Sequence, residues 1–280
     1  MIPPEFEYVA PESLDEVLTA LADGGEDAKV LAGGHSLIPL MKLRLASPTL
    51  LVDLRRVPAM RGVQRENGSW RIGAMTRHAD VQNREDLGLL GTAAALIADQ
   101  HVRNRGTIGG SLAHGDPASD LPGVLLAAEG TVTVRGPQGV REIPAAELFE
   151  DYLTTSVGPG EVLTEIRMPA LDGWGHGYEK FTRRAEDWAM VGVSALVHRA
   201  ADGTCADVRV ALTNMASTPI RATAVEGALR GRPLDARSIA AAAEQAAEGT
   251  EPPGDLNATP DYKRHLARVL TGRALTQAAG

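Results

Sequence analysis

Residues 32–45, AGGHSLIPLMKLRL, constrain the fold of this chain more than any other stretch. The apolar run at 29–31 predicts a strand, and Ser36 is a favourable N-cap for a following helix. Between them, Gly33 and Gly34 allow positive φ and a close approach of another group to the main chain. The start of such a helix leaves N–H groups without partners, and its macrodipole adds partial positive charge there. The stretch therefore predicts an anion cradle.

The same residues are also compatible with an ordinary tight connection between a strand and a helix, and that alternative stays open at this point. Two familiar phosphate motifs are excluded. The adjacent glycines do not form G-x-G-x-x-G, and no Gly-Lys-Ser/Thr follows as in a Walker loop.

The order of the predicted elements favours an α+β protein of two domains. A capping box at residues 13–16 predicts a helix that ends at Gly24-Gly25, and with strands at 29–32 and 50–54 it makes a first unit of residues 1–55. Residues 56–173 alternate strand patterns with a helix near 88–99 and form a second unit. The glycine-rich residues 171–177 are the predicted linker to a C-terminal α/β domain, residues 174–280.

Composition excludes several classes of partner and cofactor. The formal net charge of -8 disfavours nucleic acid, which is a polyanion. Cys205 is the only cysteine, whereas an iron–sulfur cluster needs about four thiolates, so this chain cannot ligate one by itself. The N-terminus lacks a signal-peptide pattern, and no apolar run reaches the ~18 residues of a membrane span, which indicates a cytoplasmic protein.

A second glycine-rich segment, residues 102–122, is predicted to be a long functional loop. It offers three glycines for close backbone approach, hydroxyls at Thr107 and Ser111, and carboxylate acceptors at Asp116 and Asp120. Two such segments suit a ligand that carries both a pyrophosphate and sugar hydroxyls. Together they predict a dinucleotide cofactor.

Two motifs, AGGHS at 32–36 and TIGGS at 107–111, carry a resemblance to the FAD-binding medium subunits of molybdenum-containing hydroxylases, the carbon monoxide dehydrogenase and xanthine dehydrogenase flavoprotein group. GDPASDLP behind the second motif and YEKFTRRAEDWAMVG at 178–192 extend it over nearly the whole chain. The resemblance implies a vanillyl-alcohol-oxidase (PCMH) type FAD-binding fold in two subdomains, residues 1–55 and 56–173. A C-terminal domain of the CO dehydrogenase flavoprotein type would follow.

The cofactor-binding residues that the cradle, the second loop and the resemblance together imply lie on both glycine segments and at three later positions. They are Lys29, Val30, Leu31, Ala32, Gly33, Gly34, His35, Ser36, Leu37, Thr107, Gly109, Gly110, Ser111, Asp116, Asp120, Leu163, Lys180 and Trp188. For His35 a backbone role is expected over a side-chain contact, because an anion cradle needs N–H groups rather than a base. Trp188 stands where similar chains place a tyrosine beside the flavin ring, and an indole can stack on or shield such a ring.

The resemblance implies an oxidoreductase subunit in which FAD carries the chemistry and no protein side chain is catalytic. Electrons would arrive from two-iron two-sulfur clusters on a small partner subunit and leave to an external acceptor. The molybdenum cofactor would lie on a large partner subunit, in a dimer of heterotrimers. The sequence leaves open the substrate and the acceptor, which would be NAD, a quinone, a cytochrome or oxygen.

Two other functions remain as alternatives, a self-sufficient flavin reductase or oxidase of the same fold and a non-catalytic α/β assembly module. A metal site is not expected, because His101 and His114 have no ligand-like spacing. A hydrolytic triad of Ser111, His114 and Asp120 lacks a G-x-S-x-G elbow, and Ser111 is better explained as a hydroxyl on a cofactor loop.

Overall fold

The structure, a computed structural model, describes residues 2–280 and is a mixture of helices and antiparallel and parallel sheets. The strands are β1 (Glu7–Val9), β2 (Ala28–Leu31), β3 (Leu50–Asp53), β4 (Val63–Glu66), β5 (Ser69–Gly73), β6 (Thr131–Gly136), β7 (Gly139–Pro144), β8 (Phe149–Asp151), β9 (Thr154–Thr155), β10 (Val162–Pro169), β11 (Trp174–Phe181), β12 (Val191–Arg199), β13 (Cys205–Thr213) and β14 (Ile220–Arg221). The helices are α1 (Leu14–Gly24), α2 (Leu37–Lys42), α3 (His78–Val81), α4 (Leu89–Ala95), α5 (Gln100–Arg103), α6 (Ile108–His114), α7 (Asp120–Ala127), α8 (Ala145–Leu148), α9 (Thr223–Leu229), α10 (Ala236–Ala243) and α11 (Pro260–Ala279).

The strands pair into three main sheets. A parallel sheet has the order β1-β3-β2, and its strands β2 and β3 are joined through α2. An antiparallel sheet has the order β4-β5-β10-β6-β7, and a second one has the order β11-β12-β13-β14. The predicted α+β class is confirmed.

The first helix shows how local sequence fixes an element that supports the cradle. The Ser13 hydroxyl accepts from the Glu16 N–H, and the Glu16 carboxylate accepts from the Ser13 N–H, as the capping box predicts. Val17 and Leu21 are buried on one face of α1, in a core that also contains Val52 of β3. This packing holds the parallel sheet against α1, and the strand β2 leads directly to Gly33.

The predicted linker over residues 171–177 is shorter in the structure, because only residues 171–173 form a turn and β11 already begins at Trp174. Its glycines have a packing role. A Cβ atom on Gly175 would lie 1.9 Å from the carbonyl oxygen of Ala278, and one on Gly177 would lie 2.1 Å from that of Ala274. Glycine therefore lets the backbone of α11 lie directly on β11.

We expect Gly177→Ala to lower the free energy of unfolding by about 1–3 kcal/mol, because the new methyl group overlaps a helix carbonyl and forces α11 outward. Urea denaturation measures the loss. Gly227→Ala is the matched control, since Gly227 lies in α9 and a Cβ there meets nothing within 4 Å. The control should be neutral or stabilising by up to about 1 kcal/mol, and equal effects of the two substitutions would contradict the close packing.

The prediction of one long loop over residues 102–122 is wrong, because the segment contains the end of α5, the whole of α6 and the start of α7. Gly109 and Gly110 lie in the first turn of α6, where the poor helix propensity of glycine hides the helix from a sequence pattern. The helix predicted near 88–99 ends at Ala95, and Ala98 adopts a φ of 41° before Asp99 caps α5. Within residues 2–280 no helix has the length and apolar character needed to cross a membrane.

Candidate functional site

The two glycine segments predicted from the sequence meet in space. A Cβ atom on Gly33 would lie 2.6 Å from the carbonyl oxygen of Arg105 and 2.7 Å from Cα of Gly106. A Cβ atom on Gly110 would lie 2.7 Å from Oγ1 of Thr107 and 3.4 Å from the Cβ of Ala32. At Gly33, therefore, only a residue without a side chain permits this contact between segments about 75 residues apart in the sequence.

The first segment keeps its backbone donors available. Ser36 is the N-cap of α2, but its side chain forms no capping hydrogen bond, in contrast to the prediction for a favourable N-cap. Within residues 2–280 the N–H groups of Gly34, His35 and Ser36 donate no backbone hydrogen bond. These residues directly precede the first turn of α2, and free N–H groups at the start of a helix are an arrangement that binds phosphate.

The second segment uses its donors internally. The N–H groups of Ile108 and Gly109 donate to the carbonyls of Thr76 and Ala74 at 3.0 and 2.9 Å, and the Gly110 N–H donates to the Thr107 hydroxyl at 3.2 Å. The second segment can therefore contact a ligand through the Ser111 hydroxyl and the exposed main chain at Gly110, but it does not present a second cluster of free N–H groups.

A cavity of about 910 Å³ lies along both segments and is of the size that drug-sized ligands and cofactors occupy. Fourteen of the eighteen residues expected to bind the cofactor line this cavity. They are Lys29, Val30, Ala32, Gly33, Gly34, His35, Ser36, Leu37, Thr107, Gly110, Ser111, Asp120, Lys180 and Trp188. Three observations fit a dinucleotide such as FAD: the space at Gly33 that a Cβ atom would fill, the free N–H groups of residues 34–36, and the volume of the cavity.

The other four expected residues lie away from the cavity wall. The side chain of Leu31 packs beside Gly34, and a Cβ atom on Gly109 would lie 2.4 Å from the Cβ of Ala74. The Asp116 carboxylate accepts from the Ala118 N–H at 2.8 Å and shapes the turn before α7. Leu163 is buried in the core of the five-stranded sheet.

Sequence reasoning missed one whole wall of the cavity, which residues 155–161 form between β9 and β10. The Glu161 carboxylate fixes this turn, because it accepts from the Gly158 N–H at 2.7 Å and pairs with Arg141, whose Nε and Nη2 lie 2.9 and 2.7 Å away. The Gly-Pro-Gly sequence at 158–160 is a turn signal that could have marked this segment.

Asp120 and Lys180 form a buried ion pair in the cavity wall. Lys180 Nζ lies 3.1 Å from Asp120 Oδ2, and the two side chains are only 5% and 3% exposed. The same ammonium donates to the Leu96 carbonyl at 3.1 Å, and the Tyr178 hydroxyl donates to Asp120 Oδ1 at 2.5 Å. Burial raises the pKa of Asp120, while the charge of Lys180 and the two hydrogen bonds oppose that rise.

Trp188 lies on the hairpin loop between β11 and β12 and is 54% exposed at the edge of the cavity. The base of the loop is fixed from both sides. The Asn214 side-chain amide donates to the carbonyls of Ala189 and Met190 at 2.9 and 3.2 Å, and the Ala189 N–H donates to Ala118 at 3.4 Å. A large flat indole is thus held at the edge of the cavity, where it is accessible to a ligand.

His78 is a wall residue that the sequence did not single out. His78 is the first residue of α3. It packs against Gly106 so closely that a Cβ atom on Gly106 would lie 2.7 Å from Cδ2 of His78. Within residues 2–280 the Nδ1 atom of His78 has no hydrogen-bond partner. Burial, followed by the charges of His35 and Arg103, lowers the pKa of His78 from its usual 6.5 to about 4. The imidazole is therefore neutral at physiological pH.

We expect the cofactor-free protein to lose stability between pH 6.5 and pH 4 through His78. Because its folded-state pKa lies below the unfolded value, the unfolded chain binds the proton first as the pH falls. The loss reaches on the order of 3 kcal/mol at pH 4. Urea denaturation of His78→Gln across this window should give a shallower pH dependence than the parent, and parallel curves would exclude His78 as the source.

Residues 2–280 assemble neither a metal site nor a hydrolytic triad. Within the described part of the chain no three His, Cys, Asp or Glu side chains are placed to hold a metal ion. The Asp120 carboxylate bonds Tyr178 and Lys180, and within residues 2–280 no hydrogen bond joins it to His114, as a triad would require.

Comparison with protein families places this chain in a class. Residues 4–171 match the FAD binding domain in molybdopterin dehydrogenase, and residues 176–278 match the CO dehydrogenase flavoprotein C-terminal domain. The chain belongs to this flavoprotein family, and it is an FAD-binding oxidoreductase subunit of the molybdenum hydroxylase class. The resemblance, the fold class and the FAD cofactor predicted from the sequence are confirmed.

Individual relatives agree over the full length. The carbon monoxide dehydrogenase medium chain of Hydrogenophaga pseudoflava is 45% identical, over 99% of this chain and 98% of that relative. Subunit alpha of the 6-hydroxypseudooxynicotine dehydrogenase complex of Paenarthrobacter nicotinovorans is 40% identical, over 99% and 96%. A solved carbon monoxide dehydrogenase from H. pseudoflava, which lacks the Mo-pyranopterin moiety of its cofactor, superposes with a TM-score of 0.95, at 45% identity and with coverage of 99% and 98%.

Proposed function

We propose that this chain binds FAD in the 910 Å³ cavity and passes electrons from iron–sulfur clusters on a small partner subunit to an external acceptor. The observation that carries the proposal is the contact between the two glycine segments, which only bare main chain allows. We assign residues 1–173 to the FAD-binding unit, with subdomains 1–55 and 56–173, and residues 174–280 to the C-terminal domain.

Different residues of the cavity bind different parts of the ligand. The free N–H groups of Gly34, His35 and Ser36 bind the pyrophosphate, and Lys29 of β2 adds positive charge to the cavity wall. The Ser111 hydroxyl and the Asp120 carboxylate hydrogen-bond the polyhydroxyl and ring portions of the ligand. Bound flavin supplies one- and two-electron transfer, which no side chain of this chain supplies.

Other chains must supply the remaining centres of the complex. A single cysteine cannot ligate a two-iron two-sulfur cluster, so the clusters lie on the small subunit. The molybdenum cofactor lies on a large subunit, where the substrate is oxidised, and two such heterotrimers form a dimer. The names of the relatives, a medium chain and a complex subunit, support a complex of several subunits.

The isolated chain, loaded with FAD, should show a flavin absorption spectrum that dithionite bleaches but substrates do not. Carbon monoxide and 6-hydroxypseudooxynicotine, which appear in the names of two relatives, are the first substrates to test. Bleaching by a substrate should require addition of the partner subunits. Rapid bleaching of the isolated chain by an organic substrate would contradict the proposal and favour a self-sufficient flavoenzyme.

A further inference from the structure

Tyr178 lies behind the wall of the cavity and contacts it only through Asp120. Its ring and hydroxyl are buried in β11, and it does not line the cavity, whereas Asp120 and Lys180 do. The hydroxyl donates to Asp120 Oδ1 at 2.5 Å, and the opposite oxygen, Oδ2, receives Lys180 Nζ at 3.1 Å. The three side chains therefore form one line of hydrogen bonds that ends at the cavity.

Among the groups around Tyr178, Asp120 is the one that accepts a hydrogen bond from its hydroxyl. Within residues 2–280 the neighbouring hydroxyls of Ser194 and Thr213 are buried and have no hydrogen-bond partner. Burial and the negative charge of Asp120 raise the pKa of Tyr178 well above its usual 10, so the phenol stays protonated and donates. A buried carboxylate that receives two donors keeps its charge far better than one that receives a single donor.

We propose that Tyr178 is a positioning residue that keeps Asp120 ionised beside Lys180, and that it thereby sets the electrostatic potential this wall imposes on the bound flavin. The proposal rests on the binding of FAD in this cavity. With Asp120 ionised, the wall carries a neutral ion pair. Without the Tyr178 hydroxyl, Asp120 takes up a proton, and Lys180, still bonded to the Leu96 carbonyl, presents an uncompensated positive charge.

A positive charge near a flavin favours its reduced, more negative form. In Tyr178→Phe, which keeps the ring and removes only the hydroxyl, we expect the equilibrium between bound flavin and a redox dye to shift at least threefold toward reduced flavin. Infrared difference spectra should show a new carbonyl stretch from the protonated acid of Asp120. Tyr262→Phe is the matched control, because Tyr262 is exposed on α11, and it should change neither measurement.

A second variant tests the same residue if Tyr178→Phe does not fold. The chain has four tyrosines, so the triple variant Tyr8→Phe, Tyr152→Phe, Tyr262→Phe leaves only Tyr178. Incorporation of 3-fluorotyrosine into that variant strengthens the hydroxyl as a donor, so Asp120 should stay ionised to lower pH. The pH at which the dye equilibrium turns toward reduced flavin should therefore fall.

An unchanged dye equilibrium in Tyr178→Phe with FAD still bound, or a pH dependence of that equilibrium that fluorination does not move, would overturn the role of Tyr178. Failure of the parent chain to bind FAD at all would instead overturn the proposed function. The two failures are therefore distinguishable.

Discussion

Gly33→Val should abolish stoichiometric FAD binding. The first atom of the new side chain would lie 2.6 Å from the carbonyl oxygen of Arg105 and 2.7 Å from Cα of Gly106, and both are backbone atoms that cannot rotate away. The cradle must move off the second segment, which displaces the N–H groups of residues 34–36. We expect the dissociation constant for FAD to rise at least a hundredfold, or about 3 kcal/mol, as measured by flavin fluorescence titration.

Gly110→Val should act in the same way, because its Cβ would overlap the Thr107 hydroxyl that caps α6. Gly227→Val is the matched control, since that glycine lies in open space on α9, and it should retain full flavin content. Far-UV circular dichroism of each variant separates loss of the site from loss of the fold. Stoichiometric flavin in well-folded Gly33→Val would refute a cofactor seated between the two segments.

Asp120→Asn should lower the free energy of unfolding by about 3–5 kcal/mol, because it leaves the Lys180 ammonium buried without its counter-charge. The substitution keeps the shape of the side chain, so the effect reports charge rather than volume. Urea denaturation of the cofactor-free chain measures the loss. FAD affinity should fall as well, since both residues line the cavity.

The double variant Asp120→Asn, Lys180→Met should recover part of this loss, because it removes the unpaired charge as well as its partner. Asp261→Asn is the comparison for an exposed pair, since Asp261 lies 3.0 Å from Arg264 on the surface of α11. Its cost should stay below about 1 kcal/mol. Additive single effects in the double variant would show that Asp120 and Lys180 are not coupled.

The cradle could be predicted because it is encoded locally. A strand, two glycines and a helix start are consecutive in the sequence, so Gly33 and Gly34 indicate the site without knowledge of the rest of the chain. The capping box at Ser13 and Glu16 is local in the same sense, and it lies where expected. Elements such as these depend on neighbours within one turn of helix.

The parts of the site that were missed depend on contacts distant in sequence. Tyr178 reaches Asp120 across 58 residues, and His78 becomes a wall residue only because Gly106 brings the second segment against it. Gly175 and Gly177 look like linker residues until α11, nearly 100 positions later, is placed on them. A single sequence states which residues can pack closely but not what they pack against.

The flavin content of the purified chain tests the central claim most directly. The cofactor released on denaturation should be FAD, at one molecule per chain, and an excess of FMN should not displace it, because FMN lacks the pyrophosphate that the N–H groups of residues 34–36 would hold. A chain that folds but cannot be loaded with FAD, or that binds FMN equally well, would contradict the account.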